Sequence, residues 1–72
     1  MSTRARGVLT QVHLHAVDGA WVEVLCDDGA RAIYAVDSTP ESLAFWFESR
    51  ERIAVVDVDG TLFVRHPRSL GV

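Results

Sequence analysis

The chain has 72 residues, 49% of them hydrophobic, with seven cationic and ten acidic side chains and a formal net charge of −3. That length makes one small domain rather than two, with a core that supplies only about 3–5 kcal/mol of net stability, so a partner or a second copy would add to it. The acidic balance gives no general attraction to nucleic acid or an anionic membrane, no apolar run nears the ~18–20 residues that span a bilayer, and the single Cys26 excludes an internal disulfide and a Cys-based zinc site.

Residues 1–6 lead into an alternating segment rather than a signal-peptide core, so they read as a flexible N-terminal tail, and the lone thiol fits a reducing compartment, the cytoplasm. Residues 8–17 alternate, with Val8, Val12, Leu14 and Ala16 on one side and Gln11, His13 and His15 on the other, the pattern of a half-buried strand. Residues 21–26 and 30–36 are two further β-favouring runs, bounded by Asp18-Gly19 and Asp28-Gly29. Ser38-Thr39-Pro40-Glu41 then supplies a capping hydroxyl, a Pro in the first turn and an early acid, which start a helix running to about Arg50. Leu43, Trp46 and Phe47 form its packing stripe, with Phe45 at the margin. Residues 52–57 and 61–66 make a last hairpin, and residues 67–72 a C-terminal tail.

The expected fold is therefore a small β-rich α+β domain covering residues 1–72, a five-stranded antiparallel meander or barrel of order β-β-β-α-β-β with its helix between the third and fourth strands. That order is similar to the OB-fold, and a chain this short would also close as an SH3-like barrel.

Register follows from loop length, because a one-residue slip moves a whole strand's side chains to the other face. With two-residue loops at the Asp-Gly pairs, Ala16 would face Trp21 and Leu14 would face Glu23, which puts an acid among apolar residues. Three-residue loops, Val17-Asp18-Gly19, Asp27-Asp28-Gly29 and Val58-Asp59-Gly60, each with Gly in the left-handed position, sort the faces cleanly. Val12, Leu14 and Ala16 then share a face with Val22, Val24, Cys26, Ala32, Tyr34 and Val36, while Ala54, Val56, Leu62 and Val64 group in the last hairpin. The opposite face carries Gln11, His13, His15, Trp21, Glu23, Leu25, Arg31 and Ile33, with Ile53, Val55 and Phe63 on the outer side of the last hairpin.

The run Ile53-Ala54-Val55-Val56-Asp57-Val58-Asp59-Gly60-Thr61-Leu62 resembles the first motif of the haloacid dehalogenase-type phosphatases. The resemblance implies Asp57 as nucleophile and Asp59 as general acid/base. It also implies a parallel sheet whose later strands supply a phosphate-binding hydroxyl, a Lys and acidic magnesium ligands. Only residues 61–72 follow Asp59-Gly60 here, and all seven cations are Arg, so the run reads instead as a strand, a turn and a strand.

His13 and His15 point the same way with Glu23 opposite His13 in this register, a donor set suited to a transition metal. A polar strand face accounts for the same residues, and no metal or other cofactor is assigned. Arg4, Arg6, Arg65, His66 and Arg68 would form a basic patch if the termini lie together. The apolar side chains Trp21, Leu25 and Ile33 exceed what a solvated face normally shows, and such patches mark interfaces. The expectation is a non-enzymatic protein-interaction module, an accessory subunit, inhibitor or regulator, engaging a protein partner or itself through Trp21, Leu25, Ile33, His13, His15, Glu23 and Arg31. The alternatives are a nucleic-acid-binding small barrel and a metal-dependent or phosphatase-like enzyme.

Overall fold

The structure, a computed structural model, describes residues 2–15 and 19–67. The chain runs β1 (Ser2–His15), β2 (Gly19–Cys26), β3 (Arg31–Val36), α1 (Pro40–Ser49), β4 (Ile53–Val58) and β5 (Thr61–Arg65). The five strands form one antiparallel sheet in the order β3-β2-β1-β4-β5, with the helix between the third and fourth strands. The first three strands are the expected meander. β4 joins β1 rather than β3.

That placement depends on β1, whose 14 residues would extend about 46 Å at ~3.3 Å per residue. The molecule's longest extent is 33 Å, so the strand must bend. Register shifts at Thr3/Ala5 and Leu9/Gln11 supply the bends. Between them Gly7 faces Cys26 on one side and Ile53 on the other, and a Cβ there would lie 2.0 Å from the Leu25 carbonyl oxygen. Residues 2–6, expected as a flexible tail, are therefore strand: Ser2 pairs with Asp57 and Arg6 with Ala54.

The shift at Thr10 also turns Leu9 rather than Val8 onto the inner face, where Leu9 is fully buried. Leu9, Ala20, Val22, Val24, Val36, Ile53, Val55 and Val64 pack there around Leu43 of α1. Thr39 caps that helix, its hydroxyl accepting from the Ser42 N–H at 3.2 Å, and Arg50 closes it in the left-handed conformation. Trp46 and Phe47 pack against the core, whereas Phe45 is exposed. The Val64 N–H donates to Ser38 Oγ at 2.8 Å, which ties the helix entry to β5.

One hairpin breaks the three-residue rule, another is shifted in register, and the third keeps the rule. Asp27-Asp28-Gly29 follows it, with the Cys26 N–H donating to the Ala30 carbonyl and Gly29 at φ 91°. The first hairpin pairs His15 with Gly19 and Leu14 with Ala20, two residues away from the expected register, so the faces survive; its loop, residues 16–18, lies outside the described residues. Leu14 overhangs the core and is 57% exposed. In the last hairpin Val58 pairs with Thr61 around a two-residue loop, Asp59 at φ 53° and Gly60 at φ 89°. Two positive φ values in succession are a type I′ turn, whose twist suits a hairpin. Ile53 and Val55 consequently join Val64 in the core, and Ala54 and Val56 take the outer side opposite Arg65 and Phe63, the reverse of the expected grouping.

The sheet does not close. β3 and β5 remain its edges and meet through one backbone hydrogen bond, Asp37 N–H to the Leu62 carbonyl at 2.8 Å. No helix among the described residues is long and apolar enough to cross a membrane.

Candidate functional site

Because α1 covers only the inner face, the outer side of β1, β2 and β3 stays open. On β2 the burial alternates, with Ala20, Val22 and Val24 turned inward and Trp21 and Leu25 turned outward at 44% and 39% exposure. Ile33 on β3 is 64% exposed. The register sets Trp21 opposite His13 and Ala35, Glu23 opposite Gln11 and Ile33, and Leu25 opposite Val8 and Arg31. Trp21, Leu25 and Ile33 therefore sit on one surface, with Ile33 the diagonal neighbour of both Trp21 and Leu25 and within reach of each. Val8, which the alternating pattern had placed inside, belongs to this surface because of the shift at Thr10. A Thr followed by Gln within a strand pattern was the only cue.

The polar members are organised around Glu23. The Thr10 hydroxyl donates to Glu23 Oε1 at 2.8 Å, and Gln11 Oε1 lies 3.0 Å from His13 Nε2. His13 faces Trp21 rather than Glu23, which separates the imidazole from the carboxylate that the expected register had set against it. His15 is at the strand's end, opposite Gly19. Among the described residues no three His, Cys, Asp or Glu side chains cluster so as to hold a metal ion. Arg31 is exposed, and neither it nor Glu23 takes part in an ion pair among the described residues.

The residues of the phosphatase-like run are occupied structurally. Asp57 accepts from Arg4 at 2.5 Å and from the Gly60 N–H at 2.8 Å, so one carboxylate clamps the start of β1 to the β4–β5 turn. The hydrogen bond from Arg4, then that from Gly60, holds the Asp57 carboxyl below its ordinary value of 3.8. Asp59 is a left-handed turn residue. A second ion pair, Arg52 with Asp27, joins the entry of β4 to the β2–β3 turn.

The expected basic patch is partial. Arg6 and Arg65 flank Ala54 in one row across β1, β4 and β5, and the Arg65 guanidinium lies 4.8 Å from the Phe63 ring centre. Arg4 is neutralised by Asp57, and Arg68 lies outside the described residues. His66 stacks obliquely on Trp46 at 5.7 Å. A cleft of about 440 Å³ opens beside the β2–β3 turn, where Ala5, Ala32 and Tyr34 meet the half-buried Cys26. None of the exposed apolar residues of the outer face lines it.

Comparison of the chain with protein-family models, with curated proteins and with solved structures returned no match.

Proposed function

We propose that the protein is a non-catalytic interaction module, an accessory subunit, inhibitor or regulator, that engages a protein partner through the outer face of β1, β2 and β3. One observation carries this reading: Trp21, Leu25 and Ile33 remain 44%, 39% and 64% exposed on a single surface, while Leu43, Ile53 and Val55 of the same small domain are fully buried. Grouped apolar side chains with a polar border of His13, Glu23 and Arg31 are the composition of a protein-binding surface, with the aromatic and the Arg as its strongest anchors.

A second reading has its own support. The strand order, with β1 shared between β2 and β4 and β3 approaching β5, would also suit an OB-like barrel short of closure, whose ligand face would be the side where Trp21 and Arg31 project. Base stacking on Trp21 beside Arg31 would suit single-stranded nucleic acid. Glu23 on that face, Asp27, Asp28 and Asp37 around it, and the net charge of −3 favour the protein partner instead.

Affinity capture from extracts of the cells that make the protein, run in parallel with wild type and Ile33→Glu, tests the proposal. The expected result is a set of proteins retained by wild type and lost from the variant. Equal retention by both, or salt-sensitive binding of short oligonucleotides in place of protein, would contradict it.

A further inference from the structure

We infer that the partner on this face is a second copy of the same chain. The inference rests on the reading that the outer face binds protein, and adds the identity of the occupant. The centre of the face is a four-residue checkerboard: Leu25 lies opposite Arg31 and Glu23 opposite Ile33, so the two apolar side chains take one diagonal and the two charges the other.

This pattern is complementary to itself. A two-fold axis lying in the interface along the Leu25–Ile33 diagonal sets Leu25 on Leu25 of the second copy and Ile33 on Ile33. The same operation exchanges the charged corners, so Glu23 meets Arg31 of the second copy, and the pair occurs twice. Such an isologous contact is the commonest route to a soluble dimer. An axis along the other diagonal would set Glu23 on Glu23 and Arg31 on Arg31, so charge selects one of the two arrangements. The strands of the two sheets then cross steeply, in the orthogonal manner of sheet packing.

The two charged groups are free for this role. Neither has an ion-pair partner among the described residues, and the Thr10 hydroxyl, which also lies 3.2 Å from the Glu23 backbone carbonyl, engages only one of the two carboxylate oxygens. An unrelated partner would have to supply an apolar diagonal crossed by a cation and an anion. A copy of the face supplies it without further design, and covers Leu25 and Ile33, which α1 leaves open.

Sedimentation velocity over a concentration series tests this with wild type, Glu23→Arg, Arg31→Glu and an equimolar mixture of the two variants. Wild type is expected to dimerise. Each variant alone places two like-charge contacts in the dimer and should raise its dissociation constant at least about tenfold. The mixture should recover a heterodimer within about threefold of wild-type strength, because the doubly cationic face of one variant complements the doubly anionic face of the other. Recovery in the mixture also shows that both variants fold. A dimer indifferent to both reversals, or a mixture no stronger than its components, would overturn the inference. A monomeric wild type from which Ile33→Glu still removes captured proteins overturns the second copy alone. If Ile33→Glu also changes nothing, the interaction reading falls with it.

Discussion

β2 and β4 are both interior strands of one sheet, yet they meet their surroundings differently. β2 alternates, with three side chains turned to the core and Trp21 and Leu25 turned to solvent. β4 is buried on both sides from Ile53 to Val56. Ile53 and Val55 face α1, while Ala54 and Val56 are flanked by Thr3 and Arg6 on β1 and by Phe63 and Arg65 on β5, whose long side chains lie beside them. A strand buried twice is structural, whereas a strand with one open side can carry an interaction without loss to the core. The candidate surface accordingly lies on the β1–β3 half of the sheet.

The largest expected effect breaks the strand that joins the two halves. Gly7→Val places a side chain against the Leu25 carbonyl, where even a Cβ would be 2.0 Å away. A loss of at least about 3 kcal/mol is expected, read as a collapse of the urea midpoint. Next comes the contrast between the halves themselves. Val56→Ala should cost about 2 kcal/mol although it lies on the outer side, whereas Ile33→Ala on the open half should stay within about 0.5 kcal/mol for the isolated monomer. Equal losses at the two sites would mean that the outer face of β2 and β3 is already covered.

The same contrast explains what the sequence disclosed. Alternation from Trp21 to Cys26 and from Arg31 to Val36 places residues correctly because each strand has one dry and one wet side. In Ile53-Ala54-Val55-Val56 every residue is apolar, so alternation carries no register and both loop lengths look acceptable. Only the turn's own preference decides there, and Asp59-Gly60 takes the two-residue type I′ form. The strand content of Ser2-Thr3-Arg4-Ala5-Arg6 was hidden for another reason: its partner, β4, lies some fifty residues away in sequence. Gly7 was the visible mark, since a Gly within a strand pattern signals close approach of another backbone. The cap at Thr39 and the helix stripe at Leu43, Trp46 and Phe47 were legible because both are local.

Smaller effects sharpen the turn assignment. Gly60→Ala puts a Cβ on a residue at φ 89° and should cost about 1 kcal/mol, measurable as a lower Tm with unchanged cooperativity. The smallest effect belongs to the Asp57 clamp and depends on pH. The folded protein holds this carboxyl below its ordinary 3.8, so its stabilisation is complete above that value and fades as pH falls through the lower folded value. Melting curves of wild type and Asp57→Asn should therefore differ by a constant amount above about pH 5 and converge in acid. A gap that widens in acid would contradict the clamp.

The central claim is that the outer face of β1, β2 and β3 is the surface at which this protein meets its partner, and amide chemical shifts followed through a dilution series test it most directly. For a self-associating face, residues 21–25 and 31–35 should shift with concentration while residues 53–58 and 61–65 stay fixed, and Ile33→Glu should abolish the dependence. Concentration-dependent shifts confined to β4 and β5, or shifts that survive Ile33→Glu unchanged, would contradict the account.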